Sequence, residues 1–264
     1  MIFCQWMILS YSGLPDSRRS RGASIARLYN DLAYLWPIIS PPGEYGDEAA
    51  FFGDVVQELL GPERHSLLEL GVGGGHNLSH LTSDFDCVAL SERLNPGVEH
   101  HVADMRDIRL ERVFDAVLVH DAVSYLLTVQ DLEETFGTAA AHLRPGGVLM
   151  VAPDWVQETF PDGWVYEWDR EQEGITVNIE EVMEDPDPSD TQVESTYTYT
   201  ITKDGETTVE VDTHVTGLFP INTWTELMED AGFEVEVRPL PPNEGGYGSW
   251  LFIGIAGQGA SGQD

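Results

Sequence analysis

Ser66-Leu67-Leu68-Glu69-Leu70-Gly71-Val72-Gly73-Gly74-Gly75-His76-Asn77-Leu78-Ser79-His80-Leu81 is the stretch whose reading decides the fold. Ser66–Leu70 is a short apolar run of strand length. Glu69–Gly75 is a glycine-rich turn, and His76–Leu81 reads as a helix. A strand feeding such a turn and then a helix presents free backbone N–H groups and a positive helix end to a ligand. The glycines tolerate positive φ and let a ligand approach the backbone. A dinucleotide fingerprint requires Gly-x-Gly-x-x-Gly. Counted from Gly71 its third glycine falls on His76, and counted from Gly73 it falls on Leu78. The spacing here is acid-x-Gly-x-Gly-x-Gly, beginning at Glu69.

Working outward, short buried strands alternate with helices. Cys87–Leu90, His100–Ala103, Ala116–Val119 and Val148–Ala152 read as strands two to five. Leu132, Phe136, Ala139, Ala140 and Leu143 mark a helix closed by Arg144-Pro145-Gly146-Gly147. That alternation predicts an α/β fold, a mostly parallel sheet wound on both faces. After Pro153 the pattern changes. Thr176–Met183, Val193–Thr202 and Thr207–Val215 are alternating Thr- and Val-rich runs joined by turns, which predicts an antiparallel sheet after strand five. The first pattern then resumes with a helix over Thr223–Ala231 and strands at Glu234–Arg238 and Trp250–Ala256. Upstream, 24–60 reads as helical, with Pro37, Pro41 and Pro42 interrupting it and Asp47 able to cap a second helix that Gly61-Pro62 stops. The expected organisation is an extension at 1–23 and one domain over 24–256. Within that domain lie a helical cap at 24–60 and an inserted sheet at about 164–218. A flexible tail follows at 257–264.

The charge is unusual. Among 264 residues there are 46 acids and 13 bases, a formal net of −33, and the single lysine is Lys203. The acids are dispersed and form no tail, which fits a surface adapted to a high-salt cytosol; an acidic surface for a basic partner is the alternative. Without a basic patch to neutralise phosphates, a nucleic-acid substrate is not expected. No apolar run is long enough to span a bilayer, so no membrane role is expected. The cysteines, Cys4 and Cys87, give neither a disulfide framework nor a zinc site, which fits a cytoplasmic protein. The edges of the inserted sheet could pair two copies into a homodimer.

Four motifs in order carry a resemblance. Leu68–Gly75 resembles the first motif of class I S-adenosylmethionine-dependent methyltransferases. Ala103-Asp104-Met105-Arg106 is similar to that family's segment after strand three. Phe114-Asp115-Ala116-Val117 and Leu143-Arg144-Pro145-Gly146-Gly147-Val148 resemble its strand-four and strand-five motifs. The resemblance covers about residues 24–256. It implies a Rossmann-like methyltransferase fold with a seven-stranded sheet, and S-adenosylmethionine as cofactor. Glu69 would hold its methionine end beside Gly71, Gly73 and Gly75. Asp104 would accept a bond from the adenine amino group, and Met105 would pack on the ring. The chain departs from the family at Ala89, where an acid for the ribose hydroxyls is expected. Either Ser91 or Glu92 takes that role, or the cofactor is held more weakly.

Three further stretches resemble small-molecule methyltransferases of the sugar N,N-dimethyltransferase type: Ala26–Tyr34, Pro153–Phe160 with Asp162-Gly163-Trp164, and His214–Phe219. They imply a small-molecule acceptor. Methyl transfer is an in-line displacement that needs alignment above all, with a base only if the acceptor must lose a proton. His120 and Asp121 follow strand four, at the carboxyl ends of the strands where ligands bind. His120 could contact the cofactor or act as a base, or simply bond neighbouring backbone. Tyr125, one turn on, could orient the acceptor or serve as a core aromatic. Tyr29 would cover the cofactor and Tyr34 the acceptor, unless both only pack. Asp121, Trp155 and His214 are the other acceptor-side candidates. Two other readings stay open on the residues alone: a catalytically silent cofactor-binding protein and a nicotinamide oxidoreductase.

Overall fold

The computed structural model describes residues 26–29, 31–89, 95, 97–241 and 249–257, with the backbone alone for Tyr29 and for 86–89. Residues 1–23 and 258–264, within the expected extension and tail, lie outside the described residues. In chain order the elements are α1 (Trp36–Ile39), α2 (Gly46–Leu60), β1 (His65–Glu69), α3 (His76–Leu81), β2 (Phe85–Ala89), β3 (Glu99–His100), β4 (Phe114–His120), α4 (Val129–Ala141), β5 (Leu143–Ala152), β6 (Trp164–Gln172), β7 (Ile175–Glu184), β8 (Gln192–Lys203), β9 (Glu206–Gly217), α5 (Ile221–Asp230), β10 (Phe233–Pro239) and β11 (Trp250–Ala256). The sequence pattern predicts one domain with an inserted sheet. The described chain divides into two compact units, 26–41 with 160–218 and 42–159 with 219–257.

The larger unit is built on a mixed sheet in the order β10-β11-β5-β4-β1-β2-β3. It is parallel from β5 to β3 and antiparallel where β11 meets β5 and β10. Its central strands are apolar on both sides, Leu67-Leu68 on β1 and Ala116–Val119 on β4, because helices cover both faces. On one face α2 buries Phe52, Val55 and Val56 against Leu67, Leu118 and Met150. On the other, Trp224 of α5 packs on Phe136 of α4 and stacks on Phe252 of β11. α4 starts on a capping box, with the Thr128 hydroxyl accepting from the Asp131 N–H and the Asp131 carboxylate accepting from the Thr128 N–H. Asp115 ties β4 to its neighbours by accepting from the Ser66 N–H at 2.8 Å and from Arg144 Nε at 2.6 Å.

The smaller unit is an antiparallel meander in the order β6-β7-β8-β9. Its outer hairpins turn on Glu173-Gly174 and Asp204-Gly205, both residues of each pair at positive φ, as two-residue turns between twisted strands demand. Val177, Ile179, Tyr199 and Ile201 line its core with Leu28, Leu32, Leu35 and Ile38.

The 24–60 segment is helical in pieces: only α2 is long, and before it stand short 3-10 turns and the four-residue α1, broken by the prolines. α2 belongs to the larger unit. Asp47 does not cap it; Tyr45 holds the N-cap position, and Asp47 and Glu48 fill the first turn, where the helix dipole favours acids. The third strand shrinks to Glu99–His100, because the chain turns at Asp104, whose carbonyl accepts from the N–H groups of Asp107 and Ile108. β6 is a strand that the sequence reading does not contain, although Trp164, Tyr166 and Trp168 alternate with exposed residues, Tyr166 lying tilted against Trp164 and stacked on Trp168. Among the described residues no helix is long and apolar enough to cross a membrane.

Candidate active site

The site is built from the strand ends of the larger unit. Glu69 ends β1 and is buried, 4% exposed. Among the described residues its Oε2 has no hydrogen-bond partner. Burial strips its solvation and pushes the carboxyl up to about 8; His120 opposes this, while Asp121 and Glu48 add to it. The loop that follows bends through Gly71, Gly73 and Gly75, all at positive φ. A Cβ on Gly71 would stand 2.3 Å from the Ala122 Cβ and 2.9 Å from the Met105 Cε, so the loop lies directly on the end of β4. A Cβ on Gly75 would stand 2.6 Å from Asn95 Nδ2, which donates to the Gly75 carbonyl at 2.9 Å. Among the described residues nothing comes within 4 Å of a Cβ built on Gly73, which leaves that side of the backbone open to a ligand.

This loop suits S-adenosylmethionine. A buried acid with an unpartnered oxygen is costly unless something cationic meets it, and the methionine ammonium is such a group. The sheet register sets Ala89 between Glu69 of β1 and His100 of β3, so no acid stands at that strand end. Ser91 and Glu92, the candidates to replace it, lie outside the described residues. Met105 is buried against the loop. The Asp104 carboxylate is engaged by its own segment: it accepts from Arg106 Nε at 3.0 Å and Nη2 at 2.7 Å, and Arg106 is also paired with Asp131.

At the end of β4 lies a charged network. His120 is buried, and its Nε2 donates toward Asp121 Oδ1 at 2.9 Å and Glu48 Oε1 at 3.1 Å. Its Nδ1 lies 3.1 Å from Asn77 Nδ2, which also donates to Glu48 Oε2 at 3.0 Å. Burial alone would lower the proton affinity of His120, but the carboxylates of Asp121 and Glu48 outweigh it and raise it well above the usual histidine value. Asp121 is hydrogen-bonded to Asp154. The Asp121 carboxylate pushes Asp154 up, while His120 holds Asp121 down, and both acids keep solvent access. His76 of α3, against the Tyr45 ring at 4.9 Å, is lowered to about 4 by burial.

His120 and Asp121 thus stand together with Glu69, as their shared strand ends require. Tyr125 and Trp155 are partly buried in the same unit, Tyr125 closing the short 3-10 turn that Asp121 begins. Tyr34 and His214 belong to the smaller unit. Tyr34 is 55% exposed. His214 is buried, 3.1 Å from Asp212 Oδ2 and edge-on to Tyr197. The Tyr29 side chain lies outside the described residues. Sequence reasoning missed Glu48, Asn77 and Asn95. Asn77, two residues past the glycine loop, carried the only usable signal.

A strand-end acid, a loop of positive-φ glycines and an open backbone in a mixed, helix-covered sheet define a cofactor-binding methyltransferase of Rossmann-like fold. The chain belongs to the methyltransferase domain family, whose model matches residues 44–237. It is 32% identical over 225 residues to a dTDP-3-amino-3,4,6-trideoxy-alpha-D-glucopyranose N,N-dimethyltransferase of Streptomyces venezuelae, covering 80% of this chain and 91% of that one. The crystal structure of Streptomyces venezuelae DesVI is similar at TM-score 0.71 and 33% identity, over 86% of this chain and 96% of that one. CalS10, an amino pentose methyltransferase from Micromonospora echinaspora whose structure holds S-adenosylmethionine, is similar at TM-score 0.72 and 25% identity, over 90% of this chain and 99% of that one. The protein is an S-adenosylmethionine-dependent methyltransferase acting on a small molecule. The nicotinamide and catalytically silent readings fall away.

Proposed function

We propose that the acceptor is an amine on a nucleotide-linked sugar and that the product is its N,N-dimethyl derivative. The relatives' acceptors support the sugar. The observation that carries the amine is the group of carboxyls, Glu48, Asp121 and Asp154, at the strand ends beside Glu69. Acids there suit a reaction in which positive charge moves from sulfur to nitrogen.

When bound, S-adenosylmethionine supplies a methyl group activated by its sulfonium. Glu69 holds the methionine ammonium, and the loop from Gly71 to Gly75 lies along the cofactor. Asp104 would serve the adenine amino group, and Met105 would pack on the ring. Ser91 or Glu92 serves the ribose, and Tyr29 covers the cofactor. His120 fixes the charge at the end of β4, and Tyr125 and Trp155 border the acceptor. In the same reading the sheet is the seven-stranded, doubly wound one of this class with the antiparallel sheet as an insertion. The protein works in the cytoplasm as a homodimer.

Incubation with S-adenosylmethionine and dTDP-3-amino-3,4,6-trideoxyglucose at molar salt tests this. The expected product carries first one and then two methyl groups, with matching release of S-adenosylhomocysteine. Methylation of sugar hydroxyls with no reaction at the amine overturns the reading.

A further inference from the structure

Asp121 begins the turn after β4 with φ 46° and ψ −55°. A residue with a Cβ is strained there, and such strain persists only where neighbouring contacts impose it. The Asp121 N–H donates to the Ala152 carbonyl at 3.1 Å. Oδ1 accepts from His120 Nε2 at 2.9 Å. The carboxyl is also bonded to Asp154, whose N–H is held by the Ser124 Oγ at 3.0 Å. The His120 N–H and the neighbouring Asp154 therefore aim the carboxylate, yet its side chain remains 52% exposed. Among the described residues, two buried polar atoms in the same cluster, Glu69 Oε2 and Asn77 Oδ1, have no partner. They mark a place built for a ligand rather than for internal pairing. Glu69, the group suited to the cofactor's methionine end, lies within charge range of Asp121.

We propose that Asp121 is the residue that holds the acceptor's amine nitrogen, accepting its N–H and facing the positive charge that nitrogen gains, with His120 and Asp154 as positioning residues. The inference rests on the amine-acceptor reading above and says which side chain executes it. The acceptor binds as a neutral amine. Its lone pair forms the N–C bond while the C–S bond breaks and its electron pair passes to sulfur. The positive charge then sits on nitrogen, opposite a fixed carboxylate, so the interaction is stronger in the transition state than before it. The surplus proton leaves with the product nitrogen and passes to solvent before a second methyl is added. His120 keeps Asp121 ionised, so it is a poor base for a hydroxyl and a good counter-charge for an amine. The titratable groups around it are His120 on β4, Asp154 after β5, His76 on α3, Glu69 on β1 and, through His120, Glu48 on α2.

Wild type and Asp121→Asn are compared at molar salt, with dTDP-3-amino-3,4,6-trideoxyglucose as acceptor. Two competitors are titrated against it: its dimethylated, cationic product and the neutral 3-hydroxy sugar. S-adenosylmethionine affinity is followed by calorimetry. The expected result is a kcat lower by about 10- to 100-fold and a preference for the cationic competitor lower by a similar factor, the scale of a lost hydrogen bond to a charged group. S-adenosylmethionine affinity stays unchanged. Asp154→Asn, which keeps a hydrogen bond to Asp121, retains activity that Asp154→Ala loses. A wild-type kcat or an unchanged competitor preference in Asp121→Asn overturns the inference and leaves the amine reading standing. Loss of S-adenosylmethionine binding along with activity overturns it as well, because the role is then structural. A wild-type protein that binds neither sugar removes the amino-sugar reading and this inference together.

Discussion

Glu69→Gln should make the protein more stable at alkaline pH and worse at binding its cofactor. The carboxyl is buried, has an unpartnered oxygen and sits at about 8 instead of 4.5. The folded state therefore binds this proton more tightly than the unfolded state does. Below about 4.5 both states carry it. As pH rises from there to about 8 the unfolded chain loses the proton while the folded chain keeps it, so stability falls. At about 1.4 kcal/mol per tenfold change in proton affinity, the loss across that window is on the order of 5 kcal/mol. A glutamine side chain has the same shape and no charge, so the variant lacks this loss. The assay is urea denaturation of both proteins at molar salt, at about pH 5 and about pH 9, chosen to bracket the titration. The wild type should lose stability between the two by several kcal/mol more than the variant. Saturating S-adenosylmethionine should restore the wild type at high pH, because its ammonium compensates the carboxylate, and should do little for the variant. Parallel losses in the two proteins would refute the assignment of a displaced proton to Glu69.

Three other outcomes follow from the geometry. Gly71→Ala carries a backbone cost of about 1–2 kcal/mol and an overpacking cost of about 1–3 kcal/mol, because its Cβ meets Ala122 and Met105. Gly73→Ala, with open space around it, carries only the first, and equal denaturation midpoints would contradict this. Asp104→Ala should weaken S-adenosylmethionine binding by about 1–3 kcal/mol in calorimetry, whereas Asp131→Ala, which removes the other Arg106 partner, should change it little. The melting temperature should fall from molar to dilute salt, since a net charge of −33 repels itself when unscreened; a melt that does not move refutes that.

The part of the site that lies along one strand-turn-helix is legible from spacing. Glu69, Gly71, Gly73 and Gly75 are where the sequence places them, and α3 spans His76–Leu81 as the pattern predicts. The Asp204-Gly205 hairpin is legible for the same reason, since turn chemistry is local. What fails is non-local or competes with a local alternative. His100–Ala103 has strand composition, but only two positions find partners on β2 before the chain turns. Glu48 reads as one helix-start acid among 46 acids; only folding brings it and Asn77 to His120. Asp104 looks free for a ligand in the sequence because nothing in the spacing says that Arg106, two residues on, folds back onto it.

In a chain with so many acids, what separates a working carboxyl from a solvating one is how its charge is compensated. Most of the acids need only water and salt. Glu69, Glu48, Asp121 and Asp154 crowd the ends of three strands and one helix and share a single buried histidine. At neutral pH Glu69, displaced to about 8, keeps its proton, while Asp154 is shifted toward its protonated form, His120 toward its charged form and Asp121 toward its ionised form. The protein alone thus holds this acidic pocket together with borrowed protons. A cofactor bearing an ammonium and a sulfonium can replace them, and Glu69 can then ionise against the ammonium. Glu69, whose ionisation costs the folded chain stability at high pH, becomes a counter-charge once ligand is present. The stability cost and the binding function therefore belong to one set of side chains, and relieving the first by substitution should cost the second.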